Sequence, residues 1–460
     1  MKKNTIFLFQ IMLTLIQGVI YFLSENDNIS FFIVNFSALS VVLSFLLSWQ
    51  CRQITNIRGF GFSIILFFTF ISWIIAFQVP LEIVYGNINL LDSSLNLVYD
   101  IAVINKLVAF CSLMLNFFLI GVTYSYSKTN FLLTTKINDN KIKSYPLLIL
   151  ISICFFIFLV TFNKDYSHGE VKIDSISAAA YGFLVKFSAI YLAITIFNVQ
   201  KENKVNIVKY LRGLNIYYLV LIAISCLIFF LASNRIYSIM LLMPLIFSYF
   251  IYTKKKVNIF IVILFLVSLN AIGILFKVYG FTDFYKQGFY INEDYIFAKF
   301  LFPFTAELAT SFYSSNILFS MWENGFSLYG MSFFVGLLRI IPGLMGFLSL
   351  SPSIYDSAVI ATLYSGANYG VGTTAIIDLL VNLGFPLSLV IFLYIGYFFG
   401  KSELKVYSSN KSIYPYVIFL TITILILFYP RASMNDLITM VLFNMVFCKF
   451  YFSIFGLNSK

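Results

Sequence analysis

Charged side chains are scarce in this chain: they make up 11% of its 460 residues, whereas 60% of the residues are hydrophobic. A soluble domain of this size usually carries about a quarter charged residues. The scarcity of charge therefore argues against a soluble globular protein and favours a chain that faces lipid. Acidic residues are the rarer kind, with 19 Asp and Glu against 30 Lys and Arg.

Residues and motifs that usually carry soluble-enzyme chemistry are also sparse. The 5 cysteines are scattered without a Cys-x-x-Cys pair, so the sequence supports neither a disulfide framework nor a zinc site. His168 is the single histidine of the chain. No glycine-rich phosphate loop, G-x-S-x-G or H-E-x-x-H pattern occurs, which argues against ATP-driven and soluble-type hydrolytic reactions. We expect no cofactor and no bound metal.

Long apolar runs are what the chain does have. A helix that crosses a bilayer needs about 20 mostly apolar residues, and these runs reach that length without the strict alternation of a barrel strand. The sequence predicts an all-α, polytopic membrane helix bundle with about 12 (12–14) transmembrane helices, forming a single transmembrane domain over residues 1–460. The predicted segments are 5–23, 31–49, 60–78, 101–122, 146–162, 178–198, 214–232, 236–252, 257–276, 375–399, 413–430 and 437–455.

The basic residues are sorted along this ladder of segments. Lys and Arg crowd into every second gap, as in Lys254-Lys255-Lys256, while the other gaps are mostly acidic or near neutral. By the positive-inside rule, this pattern places both termini in the cytoplasm. The formal net charge of +11 is then explained by topology and by contact with anionic lipid headgroups, and we expect no nucleic-acid partner.

One outer gap, 278–374, is much longer than the others. It contains apolar patches at 296–320 and 331–350, which Pro303 and Pro342 interrupt. Glu307 and Arg339 lie within these patches, and a lipid-facing charge is costly, so we interpret the patches as interfacial or re-entrant helices. If both patches crossed the membrane, the number of spans would rise to fourteen. Connections of this length are commonly functional.

Cations at outer membrane depth are the most informative polar residues. A guanidinium group binds phosphate oxygens through a planar fork of donors and stays charged at any working pH. Basic residues are disfavoured on the outer side, so several of them together predict a site for the anionic headgroup of a lipid, such as a pyrophosphate. Alternatively, each cation only reaches for the interface or pairs with an acid. The candidates are Arg235, Lys277, Arg339 and Arg431.

A reaction at such a site also needs a proton acceptor. Glu307 and Asp378 are the candidates, because acids at membrane depth are usually functional or paired. The sequence does not decide between these two acids. Two further charges, Lys106 and Lys186, lie inside predicted spans. Each either lines the same cavity or extends to an interface, and neither receives a role.

Several short motifs between about 230 and 440 resemble those of a known family. They are Ser233-Asn234-Arg235, Lys277-x-Tyr279-Gly280, Arg339-Ile-Ile-Pro342, Asn368-Tyr369-Gly370-Val371-Gly372 leading into Asp378, and the turn that begins at Arg431. On these motifs the chain resembles the bacterial oligosaccharide repeat-unit polymerases of the O-antigen (Wzy) type. One departure is that Gly343-Leu-Met-Gly346 follows the Ile-Pro element, where the family often has Trp-Pro.

The resemblance implies a specific activity and location. Such polymerases act at the outer face of the bacterial inner membrane, where they join undecaprenyl-pyrophosphate-linked oligosaccharides into a surface polysaccharide. The expected partners are these lipid-linked glycans and membrane lipids, with a chain-length regulator as a possible protein partner. Glu307 or Asp378 would be catalytic, and the expected substrate-binding residues are Arg235, Lys277, Arg339, Asn368, Tyr369 and Arg431.

Two other classes of protein stay open at this point. A flippase for lipid-linked oligosaccharides has a similar number of spans, although such transporters are usually built from two similar halves with comparable loops. The second class is a related transferase. An O-antigen ligase-like glycosyltransferase uses the same donor, so the sequence separates it poorly from a polymerase, whereas a metal-dependent version would need Glu25 and Asp27 in a larger first outer loop.

Overall fold

The computed structural model describes most of the chain as helix. Within the described residues, every regular element is an α-helix or a short 3-10 helix. The described ranges are 3–24, 28–54, 63–88, 99–127, 142–162, 175–199, 207–231, 235–253, 303–338, 352–366, 372–407 and 412–455, with the isolated positions 264, 268, 340, 347 and 348.

The α-helices divide into long apolar helices and shorter ones. In chain order they are α1 (Lys3–Leu23), α2 (Phe31–Ile54), α3 (Ile64–Val84), α4 (Ile104–Ser127), α5 (Tyr145–Thr161), α6 (Ser175–Val199), α7 (Ile207–Gly213), α8 (Ile216–Leu231), α9 (Arg235–Thr253), α10 (Pro303–Ala309), α11 (Phe312–Glu323), α12 (Met331–Leu338), α13 (Ser357–Ser365), α14 (Ala375–Tyr407), α15 (Tyr414–Leu425) and α16 (Met434–Phe455). Short 3-10 turns occur at Ile101–Val103, Pro352–Tyr355 and Tyr429–Arg431.

Seven helices of the described part are long and apolar enough to cross a membrane, namely α1, α2, α3, α4, α6, α14 and α16. Helices α5, α8, α9 and α15 are apolar but shorter. The prediction of a helical, multi-pass membrane protein is therefore confirmed. The number of twelve spans and their sidedness stay predictions, and the predicted segment 257–276 lies outside the described residues apart from positions 264 and 268.

Helix α4 lies at the centre of the described bundle, where it packs against α1, α2 and α14. Its contact with α14 is very close, because a Cβ atom at Gly396 would collide with the backbone oxygen of Phe118. Likewise, a Cβ atom at Gly121 would collide with the backbone oxygen of Leu393. Small residues that let two backbones approach are a common way of joining helices in lipid, where apolar burial alone provides little driving force.

Polar side chains join α1, α2 and α4 inside the bundle. Gln10 on α1 donates to the Oγ of Ser48 on α2 over 2.8 Å. Ser48 Oγ in turn lies 2.9 Å from Oγ1 of Thr123 on α4. Further along α1, Gln17 donates to Ser37 Oγ over 2.7 Å. Hydrogen bonds of this kind add to helix association in a membrane interior.

A buried ion pair ties the end of α2 to the end of α14. Arg52 and Glu403 lie 2.5 Å apart, with 5% and 2% of their side chains exposed. Ser63, just before α3, donates to the second carboxylate oxygen of Glu403 over 2.9 Å. The Arg52 guanidinium also lies 4.6 Å from the centre of the Trp49 ring. The opposite end of α14, which begins at Ala375, takes no part in this ion pair.

The described part of the long connection folds onto the bundle at that opposite end. Helices α10, α11, α12 and α13 contain 7, 12, 8 and 9 residues, so they are too short to cross a bilayer by themselves. Helix α10 packs against α3, and α12 packs against α16. The described helices of the connection are thus part of the helical bundle.

Candidate functional site

Helix α14 is broken near its start. Gly384 has φ 72° and ψ 175°, a backbone conformation open almost only to glycine, and it divides the helix into 375–383 and 385–407. The second segment is about 34 Å long at 1.5 Å per residue, which is enough to cross the hydrocarbon core. The carbonyl oxygen of Val381 accepts from the backbone N–H of Leu328 over 2.7 Å. Broken helices at membrane depth occur where protein or a cavity satisfies the released backbone groups.

The carboxylate of Asp378, in the first turn of α14, is fully buried and holds several segments together. Its Oδ1 accepts from Ser357 Oγ over 2.6 Å and from Asn382 Nδ2 over 3.2 Å. Its Oδ2 accepts from Ser433 Oγ over 3.0 Å and from the backbone N–H of Met434 over 2.8 Å. An ionised carboxylate offers about four acceptor positions, and protein donors occupy all of them here. We call these five residues the Asp378 hub.

Two of the donors to Asp378 lie at the first residues of their own helices. Ser357 is the first residue of α13, and Met434 is the first residue of α16. The first N–H groups of a helix have no acceptor within that helix, so Asp378 satisfies one of them in α16. Helix N-termini also favour a nearby negative charge. The hub therefore joins the long connection, the broken helix and the turn after Arg431.

A cavity of about 210 Å³ lies between α6, α12 and the start of α16. One of its lining residues, Asn435, directly follows Met434 of the Asp378 hub in the chain. Both polar and aromatic side chains surround it. The lining residues are Phe183, Lys186, Gly336, Ile340, Asn435, Asp436, Thr439 and Phe443. We call it the Lys186 cavity.

Opposite charges face each other across the Lys186 cavity. The Lys186 ammonium lies 4.6 Å from the centre of the Phe443 ring and 5.3 Å from that of Phe183, both within the range of a cation–π contact. Asp436, in the first turn of α16, is close enough to attract Lys186 electrostatically. Asn435 is held in place because its Nδ2 donates to the backbone oxygen of Ser332 over 2.5 Å.

The predicted site residues are described to different extents. Arg235 is the first residue of α9 and Glu307 belongs to α10, but neither side chain lies within the described part. Arg431 is half-buried and ends the turn Tyr429–Arg431, two residues before Ser433 of the hub. The structure thus brings the Arg431 turn and Asp378 together. The remaining predicted positions, Lys277, Arg339, Asn368 and Tyr369, lie outside the described residues.

Two residues of the site have no role assigned from the sequence. For Lys186 the sequence left a cavity position and an interface position open, and in the structure it lines a cavity with Asp436. Ser357 belongs to no motif of the sequence, although it donates to Asp378. A lysine in the middle of a span was the available signal for Lys186, because such charges usually face a cavity or a partner. Nothing local marked Ser357, since its partner is distant along the chain.

In comparisons with known proteins, no family model, curated protein or solved structure matches this chain. The functional assignment therefore depends on the chemistry of its residues.

Proposed function

We propose that this protein is a membrane glycosyltransferase that joins oligosaccharide units carried on undecaprenyl pyrophosphate into a longer glycan. In this proposal it acts at the outer face of the bacterial inner membrane. The observation that carries the proposal is the Asp378 hub, which joins the long connection, the break in α14 and the Arg431 turn beside a cavity that the half-buried Lys186 lines. Such a convergence is typical of a site rather than of a simple link between spans.

Contacts along the connection support this proposal. Ser332 on α12 donates to Oδ1 of Asn382 on α14 over 2.8 Å. Asn316 on α11 donates to the backbone oxygen of Asp100 over 3.0 Å. Hydrogen bonds to α14 and to the segment just before α4 give the connection a defined position, and functional loops are commonly positioned by a rigid scaffold in this way.

The proposed reaction needs one bond made and one broken. A hydroxyl group of the acceptor glycan attacks the anomeric carbon of the donor sugar, and the bond from that carbon to the pyrophosphate oxygen breaks. The leaving pyrophosphate keeps the electron pair, and the hydroxyl proton passes to a base. Arg235, Lys277, Arg339 and Arg431 would stabilise the charge that develops on the leaving group. A single displacement inverts the configuration of the sugar carbon.

The two candidate acids receive different roles in the proposal. Asp378 already accepts four hydrogen bonds within the protein, so a substrate hydroxyl would have to displace one of these donors. We therefore assign it a positioning role and assign proton acceptance to Glu307, which the helix α10 carries. Asn368 and Tyr369 stay proposed contacts to the glycan.

Glycan length in a deletion strain tests the proposal. A strain that carries the wild-type gene should show a ladder of long glycan on a gel, whereas Arg431→Ala should leave single units that are delivered outside the membrane. Lys401→Ala is the matched control, because Lys401 is an exposed cation near the other end of α14. Losing a charge-assisted contact of about 3 kcal/mol lowers a rate about a hundredfold.

The same experiment separates the rival functions. If single units stay on the cytoplasmic face in the deletion strain, the protein is a flippase and the proposal is wrong. If long glycan forms but is not attached to its final acceptor, the protein is a ligase. An unchanged ladder with Arg431→Ala removes Arg431 from the site.

A further inference from the structure

We infer that the Lys186 cavity is a sugar subsite, which takes one ring of the oligosaccharide and not the pyrophosphate of the carrier. The inference rests on the proposed function and adds which part of the substrate this cavity recognises. The groups that carry it are the ammonium of Lys186, the carboxylate of Asp436 and the rings of Phe183 and Phe443.

The charge of the cavity separates a sugar from a phosphate. Lys186 and Asp436 are the two charged side chains among the described lining residues, and their charges offset each other. A pyrophosphate gains little from such a pair, because the carboxylate repels it as the ammonium attracts it. A sugar hydroxyl is both a donor and an acceptor, so one ring can donate to Asp436 and accept from Lys186.

The aromatic side chains point to the same class of ligand. Phe183 and Phe443 provide apolar surface for the C–H face of a sugar ring. Ligand sites generally combine such surface with a few placed polar groups. Thr439 is a further polar group of the wall, and its Oγ1 donates to the backbone oxygen of Asn435 over 2.7 Å, which leaves the hydroxyl oxygen able to accept.

The cavity has room for about one sugar ring. Its 210 Å³ corresponds to about seven water molecules at roughly 30 Å³ each. Pockets for drug-sized ligands are larger, about 300–1,000 Å³. The wall is also well defined, because a Cβ atom at Gly336 would come within 2.6 Å of Asn435 Oδ1. A whole oligosaccharide unit would have to extend out of the cavity.

Saturation-transfer NMR on the full-length protein in lipid nanodiscs tests the inference. The probes are a neutral methyl hexoside and inorganic pyrophosphate. We expect saturation transfer to the hexoside, no displacement by pyrophosphate, and about tenfold weaker binding with Asp436→Asn or Lys186→Met. The matched control is Lys106→Met, which removes another lysine of a span that pairs with Glu323 at 2.6 Å and does not line the cavity.

Each outcome has a defined meaning. Absence of transfer to the hexoside in the wild-type protein overturns the sugar subsite, and so does a signal that pyrophosphate displaces. Equal weakening by Lys106→Met also overturns it. Hexoside binding that depends on Asp436, in a protein that does not restore long glycan to the deletion strain, supports the subsite and overturns the polymerase. Long glycan without hexoside binding supports the polymerase and overturns the sugar subsite.

Discussion

The carboxylate of Asp378 illustrates how much the sequence alone indicates about a single residue. Its position in an apolar stretch marks it as paired or functional, and the structure pairs it with Ser357, Ser433 and the N–H of Met434. These partners lie about twenty and more than fifty residues away in the chain, beyond the reach of any helical spacing. The sequence could therefore identify the acid but not its role.

The positioning role of Asp378 predicts a loss of stability. Asp378→Ala removes the acceptor of the buried Met434 N–H and of the half-buried Ser433 hydroxyl, and each donor left unsatisfied costs about 1–3 kcal/mol. The Ser357 hydroxyl keeps Thr373 Oγ1 as an acceptor at 3.0 Å. The thermal unfolding midpoint of the purified protein in detergent should fall clearly. Ser433→Ala is the control, since it removes one donor to Asp378 and a weak acceptor of the Asn435 N–H, and it should cost about 1 kcal/mol. A stable Asp378→Ala protein that makes no glycan would contradict the positioning role and return Asp378 to the candidates for the proton acceptor.

At the scale of the helix, α14 has one feature that its sequence pattern predicts and one that it does not. Its apolar composition predicted a span at 375–399, and the helix indeed covers this range. The break at Gly384 was not predicted, although glycine and Pro386 are the residues expected at such a point. Glycine also occurs inside unbroken helices of this chain, as at Gly18 in α1. Only the partner of the released Val381 carbonyl, on the segment before α12, shows that the break is part of the site.

The backbone at Gly384 predicts a second effect on stability. Gly384→Ala should destabilise the protein by about 1–3 kcal/mol, because an L-residue is strained at this φ and ψ. A Cβ atom at this position would meet no other atom within 4 Å, so crowding does not contribute. Gly18→Ala is the matched control: its Cβ would also meet nothing within 4 Å, but Gly18 is helical, and alanine should be neutral or stabilising. Equal unfolding midpoints for both variants would contradict the break.

At the scale of the whole molecule, the pattern of basic residues and the packing of the helices both concern the two ends of the bundle. Arg52 and Lys401 belong to the basic gaps that the positive-inside rule places toward the cytoplasm. The structure joins the ends of α2 and α14 through Arg52 and Glu403. The Asp378 hub lies at the other end of α14. The direction of the bundle relative to the membrane stays a prediction of the positive-inside rule.

Cysteine labelling in intact cells tests that direction. Tyr329 is 84% exposed in the segment between α11 and α12, so Tyr329→Cys should react with a maleimide that cannot cross the membrane. Lys401→Cys, near the far end of α14, should react only after the cells are permeabilised. Background should be low because Cys51, Cys111, Cys226 and Cys448 are buried and Cys154 is half-buried. The reverse labelling pattern would place the hub in the cytoplasm and exclude the proposed function.

The amino-acid sequence by itself determined that this is a helical membrane protein, because the length and apolarity of a span and the sorting of Lys and Arg are local properties of the chain. Only the tertiary structure decided which polar residues meet. Asp378 joins α13 and α16, and Lys186 faces Asp436, through contacts between helices that are distant in sequence. Helix packing depends on the shapes of several segments at once, as in the close approach at Gly121 and Gly396, so no single segment encodes it.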